Sequence, residues 1–152
     1  MFSAASVANE LIRLAKADNR SFTPLQIIKL TYIAHGWMLH LYGRPLIDDV
    51  IEAWRYGPVI PVLYRALKKY GGGSVTDELA GEPPLDASAQ ALVAQVYHAY
   101  GTRTGMQLSA MTHQPGTPWH QTWTQVGESS VISNDLIAEH YRQLAAKRTQ
   151  RT

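Results

Sequence analysis

One segment constrains this chain more than any other: residues 23–42, TPLQIIKLTYIAHGWMLHLY. Thr23 is placed to cap a helix, Pro24 suits the first helical position because it has no N–H to leave unpaired, and Gln26 stands where a capping-box side chain reaches back to the cap. Onward to Tyr42, one helical row holds Leu25, Ile28, Tyr32, His35 and Leu39, and a second holds Ile27, Leu30, Thr31, Ala34, Met38 and Leu41. Only a narrow stripe of Gln26, Lys29, Gly36 and His40 is polar or small. A helix apolar over so much of its surface belongs in the centre of a bundle. Gly43 ends it as a left-handed cap, and Arg44-Pro45-Leu46 turns the chain. Lys29, His35 and His40 argue against a membrane span, since each would be costly in lipid.

The other segments supply helices to surround it. The pattern predicts a first helix over about Ser6–Asp18, with Val7, Leu11, Leu14 and Ala15 inward. Val50-Ile51-Glu52-Ala53-Trp54 reads as a short strand with Val131-Ile132 as its partner. Gly57-Pro58 is expected to end that strand and start a third helix with Pro61 in its first turn. Gly71-Gly72-Gly73-Ser74 stops the helix, and the stretch to Pro84 reads as the most mobile loop. A fourth helix over Ala87–Tyr100 follows a capping Asp86, and a short one covers Met106–Thr112. Residues 113–123 read as irregular and aromatic. Ser133 caps a last helix that frays into a basic tail from about Lys147 through Arg151. The expected architecture is mainly α: one domain over residues 1–152, bundled around the central helix of residues 24–42, with room for a two-stranded β element.

Composition removes several functions. With no cysteine there are no disulfides, thiol nucleophiles or thiolate metal sites, and the chain suits a reducing cytoplasm. The N-terminus lacks a basic, apolar export signal. Fourteen basic against twelve acidic residues, net +2, is far from the balance of a dedicated nucleic-acid binder. No histidine pair has the spacing of a helical metal site, His35 and His40 being five apart, so no metal or other cofactor is expected. The glycines at 71–73 follow no strand and lack a phosphate-cradling context, and no Gly-x-Ser-x-Gly nucleophile occurs. The chain reads as a non-enzyme.

Several linked pieces then carry a resemblance: Thr23-Pro24-Leu25-Gln26, Lys29-Leu30-Thr31-Tyr32 with Ala34-His35-Gly36-Trp37, Tyr42-Gly43-Arg44-Pro45-Leu46, and Glu52-Ala53-Trp54-Arg55-Tyr56-Gly57-Pro58-Val59. Tyr64, Tyr70-Gly71, Leu108-Ser109, Thr112-His113 and Pro118-Trp119 follow in order. This ordered set resembles the Panacea antitoxin domain family, which includes phage-associated GepA-like and SocA-like proteins. The resemblance implies a non-catalytic antitoxin that binds a cognate protein toxin, encoded by an adjacent gene, in a bacterial or prophage toxin-antitoxin system. Two alternatives are a proteolytic adaptor that delivers the toxin to a cellular protease and a nucleic-acid-binding transcriptional regulator. The latter lacks a helix-turn-helix or a basic stripe here. Self-association into a homo-oligomer is open.

The resemblance and the residue types together select the candidate site. Trp54, Arg55, Tyr56 and Pro58 form a turn rich in the types that dominate interface hot spots, and His113 and Trp119 stand on a neighbouring loop. Lys29, Glu52 and Trp37 are expected to support it. Against this stands a packing role: Trp54 and Tyr56 as core, Glu52 paired with Lys29 or Arg55, and His113 as a loop tether.

Overall fold

A computed structural model describes residues 1–150, the last of them by its backbone alone. Arg151, read as part of the basic tail, lies outside the described residues. The fold is mainly α with a small β element. In order along the chain it has α1 (Ala4–Ala17), α2 (Pro24–Tyr42), β1 (Glu52–Trp54), β2 (Gly57–Val59), α3 (Pro61–Leu67), α4 (Ala87–Tyr100), α5 (Gly105–Thr112), α6 (Pro118–Gln125), β3 (Ser130–Val131) and α7 (Asn134–Gln150).

The central helix forms as its sequence dictates. Thr23 accepts from the Gln26 backbone while the Gln26 side chain accepts from Thr23 N–H, closing the capping box, and Gly43 ends the helix at φ 66°. Every residue from Ile27 to Met38 is buried, with α1, α4, α5 and α7 packed around it. Gly36 makes the closest of these contacts possible, because a Cβ there would overlap the Tyr141 ring of α7. His35 joins three segments. Its Nδ1 accepts from Leu46 N and Ile47 N at 3.2 and 3.3 Å, which leaves the proton on Nε2 to donate to Asn134 Oδ1 at 2.8 Å. Burial holds this imidazole below its ordinary pKa, partly offset by the Asn134 hydrogen bond.

Four features depart from the sequence reading. The β element has three strands in the order β2-β1-β3, all antiparallel. The expected pairing of β1 with residues 131–132 is present, as Glu52 faces Val131 and Ile132 N donates to Ile51 O. Gly57-Pro58, however, forms the return strand of a hairpin instead of starting α3; β2 is an edge strand, where a proline removes no ladder bond that the sheet needs. Residues 113–123 were expected to be irregular, but from Pro118 they belong to α6, a helix capped by Thr117 with Pro118 in its first turn. The 71–86 loop is tied to α1, where Asn9 exchanges two hydrogen bonds with Leu79 and Ser6 Oγ donates to Pro83 O, and to the α1–α2 connection, where Val75 N donates to Phe22 O.

The fourth departure is at the C-terminus. Where a frayed tail was expected from about 147, α7 continues to Gln150, and Arg148 donates to Tyr100 Oη at 2.7 Å with its guanidinium 5.0 Å above the Trp37 ring. Arg148 therefore closes the far end of the core with a cation–π contact and a hydrogen bond.

Candidate functional site

The β1–β2 hairpin is the part of the molecule on which most of the expected site residues converge. Trp54 pairs with Gly57 across a loop of only Arg55 and Tyr56. That geometry requires a glycine. Gly57 has φ 123°, and a Cβ on it would come 2.7 Å from Lys29 Nζ beneath.

Three helices grip the hairpin through alternate carbonyls. Trp119 Nε1 of α6 donates to Trp54 O, Ser109 Oγ of α5 donates to Tyr56 O at 2.7 Å, and Lys29 Nζ of α2 donates to Pro58 O at 2.8 Å. From the β3 side, Ser129 N donates to Ala53 O at 2.7 Å. The tip is thus fixed from beneath, while its side chains point outward: Tyr56 is 68% exposed, with the Arg55 guanidinium 5.4 Å from its ring. Trp54 is half-buried. Its indole N–H donates to Glu52 Oε1 at 2.9 Å, and its ring meets Tyr64 edge-to-face at 5.1 Å.

Behind the tip lies an open cavity of about 510 Å³ whose walls include Leu25, Ile28, Trp54, Tyr64, Glu128 and the buried Lys29. Leu25 and Tyr64 are 39% and 37% exposed and give the cavity an apolar rim. Lys29 is electrostatically the most unusual residue here. It is only 1% exposed, forms no ion pair among the described residues, and burial lowers its pKa from 10.5 to about 7.

The expected residues therefore divide. Arg55, Tyr56 and the edge of Trp54 face outward. Pro58 and Trp119 are buried and support the hairpin; Trp119 also stacks on Trp123 at 5.4 Å. His113 is a tether, its Nδ1 donating to Ser109 O at 3.1 Å and its ring lying edge-to-face with Trp119 at 5.0 Å. The expected pairing of Glu52 with Lys29 or Arg55 is replaced by the Trp54 contact. Residues two apart on a strand share a face, which sets Glu52 beside Trp54, while Lys29 enters from the helix below. Trp37 does not belong to this site. Eight residues beyond Lys29 on α2, about 12 Å along the axis, it packs against Tyr141 at 5.1 Å and donates to Tyr100 Oη at 3.1 Å. Leu25 had been placed in a core row, and its exposure left no periodic signal. Among the described residues no group of three His, Asp or Glu side chains could hold a metal ion, and no helix is long and apolar enough to cross a membrane.

The model of the family described as "Antitoxin SocA-like, Panacea domain" matches residues 27–120, a span that contains Lys29, the whole hairpin, His113 and Trp119. The chain belongs to this antitoxin family. It is also 32% identical over 154 aligned positions to a curated relative, Antitoxin SocA of Caulobacter vibrioides, covering 91% of this chain and 82% of the relative. No solved structure matches it.

Proposed function

We propose that this family member is a non-catalytic antitoxin that neutralises a cognate protein toxin by direct contact, acting in the cytoplasm, and that the β1–β2 hairpin with the cavity behind it is the contact surface. The observation that carries the proposal is the triple grip on the carbonyls of Trp54, Tyr56 and Pro58 by side chains of three different helices. A two-residue tip held this way loses little conformational freedom on binding, so its contacts are not offset by ordering costs. What it offers is an exposed tyrosine and arginine beside a half-buried tryptophan, with an aromatic and aliphatic cavity to receive a partner side chain. The buried packing partners Pro58, Trp119 and His113 act by keeping the hairpin in this shape.

The test is co-expression with the product of the neighbouring gene, followed by pull-down and growth rescue, using Tyr56→Ala and Arg55→Ala. Rescue with a stable complex in the parent chain, lost in folded variants, is the expected result. The same rescue in a host lacking its ATP-dependent proteases supports blocking; rescue that vanishes there replaces blocking by delivery for degradation. A complex that survives both substitutions moves the contact surface elsewhere.

A further inference from the structure

A second cavity, of about 430 Å³, lies away from the hairpin cavity, between α2, the 114–117 loop and α7. Its size falls in the range of small-molecule sites, about 300–1,000 Å³. Two buried tyrosines line it, Tyr32 and Tyr141, 2% and 4% exposed, with rings 6.5 Å apart in an edge-to-face arrangement. Among the described residues neither hydroxyl has a hydrogen-bond partner. Neither is sealed in protein, since the only fully enclosed side-chain polar atom without a partner among the described residues is Thr31 Oγ1. Both hydroxyls therefore keep their access through the cavity they line.

Two hydroxyls that face one cavity without a protein partner are free to bond to water or to a ligand there. Burial raises both phenol pKa values above the ordinary range, so at neutral pH each is an O–H donor and not a phenolate. At the wall and mouth stand His140, half-buried and without a hydrogen bond, and Lys147, an exposed ammonium without an ion pair among the described residues. No carboxylate among the described residues lines the cavity. The wall thus carries one cation and no carboxylate beside neutral groups such as Gln114, Gln143 and Thr117, and its apolar remainder includes Ile33, Met111 and Leu144.

We propose that this cavity binds a small ligand with an oxyanion, a carboxylate or phosphate, which accepts from Tyr32 and Tyr141 near Lys147 while an apolar body packs on Ile33, Met111 and Leu144. The proposal is independent of the hairpin surface.

Titration of the whole chain with benzoate, inorganic phosphate and neutral benzyl alcohol, read by amide NMR shifts at residues 111–118 and 140–147, tests it. Saturable shifts with benzoate assign a carboxylate, and with phosphate a phosphate; either supports the site. Benzyl alcohol is expected to bind about tenfold more weakly, or not at all. The Tyr32→Phe, Tyr141→Phe double variant should lose at least about tenfold in anion affinity while melting no lower than the parent, because no intramolecular hydrogen bond is removed. Lys147→Gln should weaken binding several-fold. Absence of saturation by either anion up to roughly 10 mM, equal binding of benzyl alcohol, or undiminished affinity in the folded double variant would each overturn the proposal.

Discussion

His35 and Lys29 are buried side chains of the same helix, both 1% exposed, and they meet burial in opposite ways. His35 is neutral and has both ring nitrogens engaged by three groups. Lys29 has an ammonium with three donors, a single hydrogen bond to Pro58 O, and no counter-ion among the described residues. The histidine spends its polarity on joining α2 to the 46–47 segment and α7. The lysine is buried with one partner beside an open cavity. Burial alone therefore does not set the electrostatic state of a polar residue; completeness of pairing does.

The largest expected effect comes from breaking the satisfied partner. His35→Ala strands the Leu46 and Ile47 N–H groups and leaves a void, and should cost about 4 kcal/mol in denaturant unfolding. Next is pH. Lys29 has a folded-state pKa of about 7 against 10.5 unfolded, so the unfolded chain binds more protons between those values and stability rises with pH there. The slope over pH 7–9 should approach about 1.4 kcal/mol per unit and be absent in Lys29→Met. His35 also has a depressed pKa, but its window is separate: its contribution is intact above pH 6.5 and is lost as the pH falls below it. The two slopes, resolved by chemical denaturation at a series of pH values, sharpen the comparison; a single shared window would break it.

A smaller effect distinguishes the two residues at neutral pH. Lys29→Met relieves a buried, unpaired charge and gives up one hydrogen bond worth about 1 kcal/mol, so the chain should gain about 1 kcal/mol net while its toxin rescue declines. The smallest is Tyr56→Ala. An exposed tip should change stability by less than about 0.5 kcal/mol yet abolish the toxin complex.

Much of this fold was legible because local signals agreed with the global pattern. The Thr23-Pro24-Gln26 cap, Gly43, Asp86 before α4, and the β1–β3 pairing are all present. Thr117-Pro118 carries the same cap-and-proline start as Thr23-Pro24, but Pro115 and Gly116 just before it obscured the helix. The hairpin was missed because Gly57-Pro58 is also a plausible helix start; only pairing with β1 makes it a strand. The convergence of Lys29, Ser109 and Trp119 on the carbonyls of Pro58, Tyr56 and Trp54 was only half legible. Residue types and order marked the segment, but the carbonyl grip joins residues far apart in the chain, which no local pattern encodes.

The most direct test of the account is amide hydrogen exchange of the chain alone and in complex with the toxin from the neighbouring gene. The account predicts new protection over residues 54–57 at the hairpin tip and at the first turn of α2 around Leu25, with α7 unchanged. Protection confined to α7 or the 71–86 loop, with the hairpin exchanging as in the free chain, would contradict it.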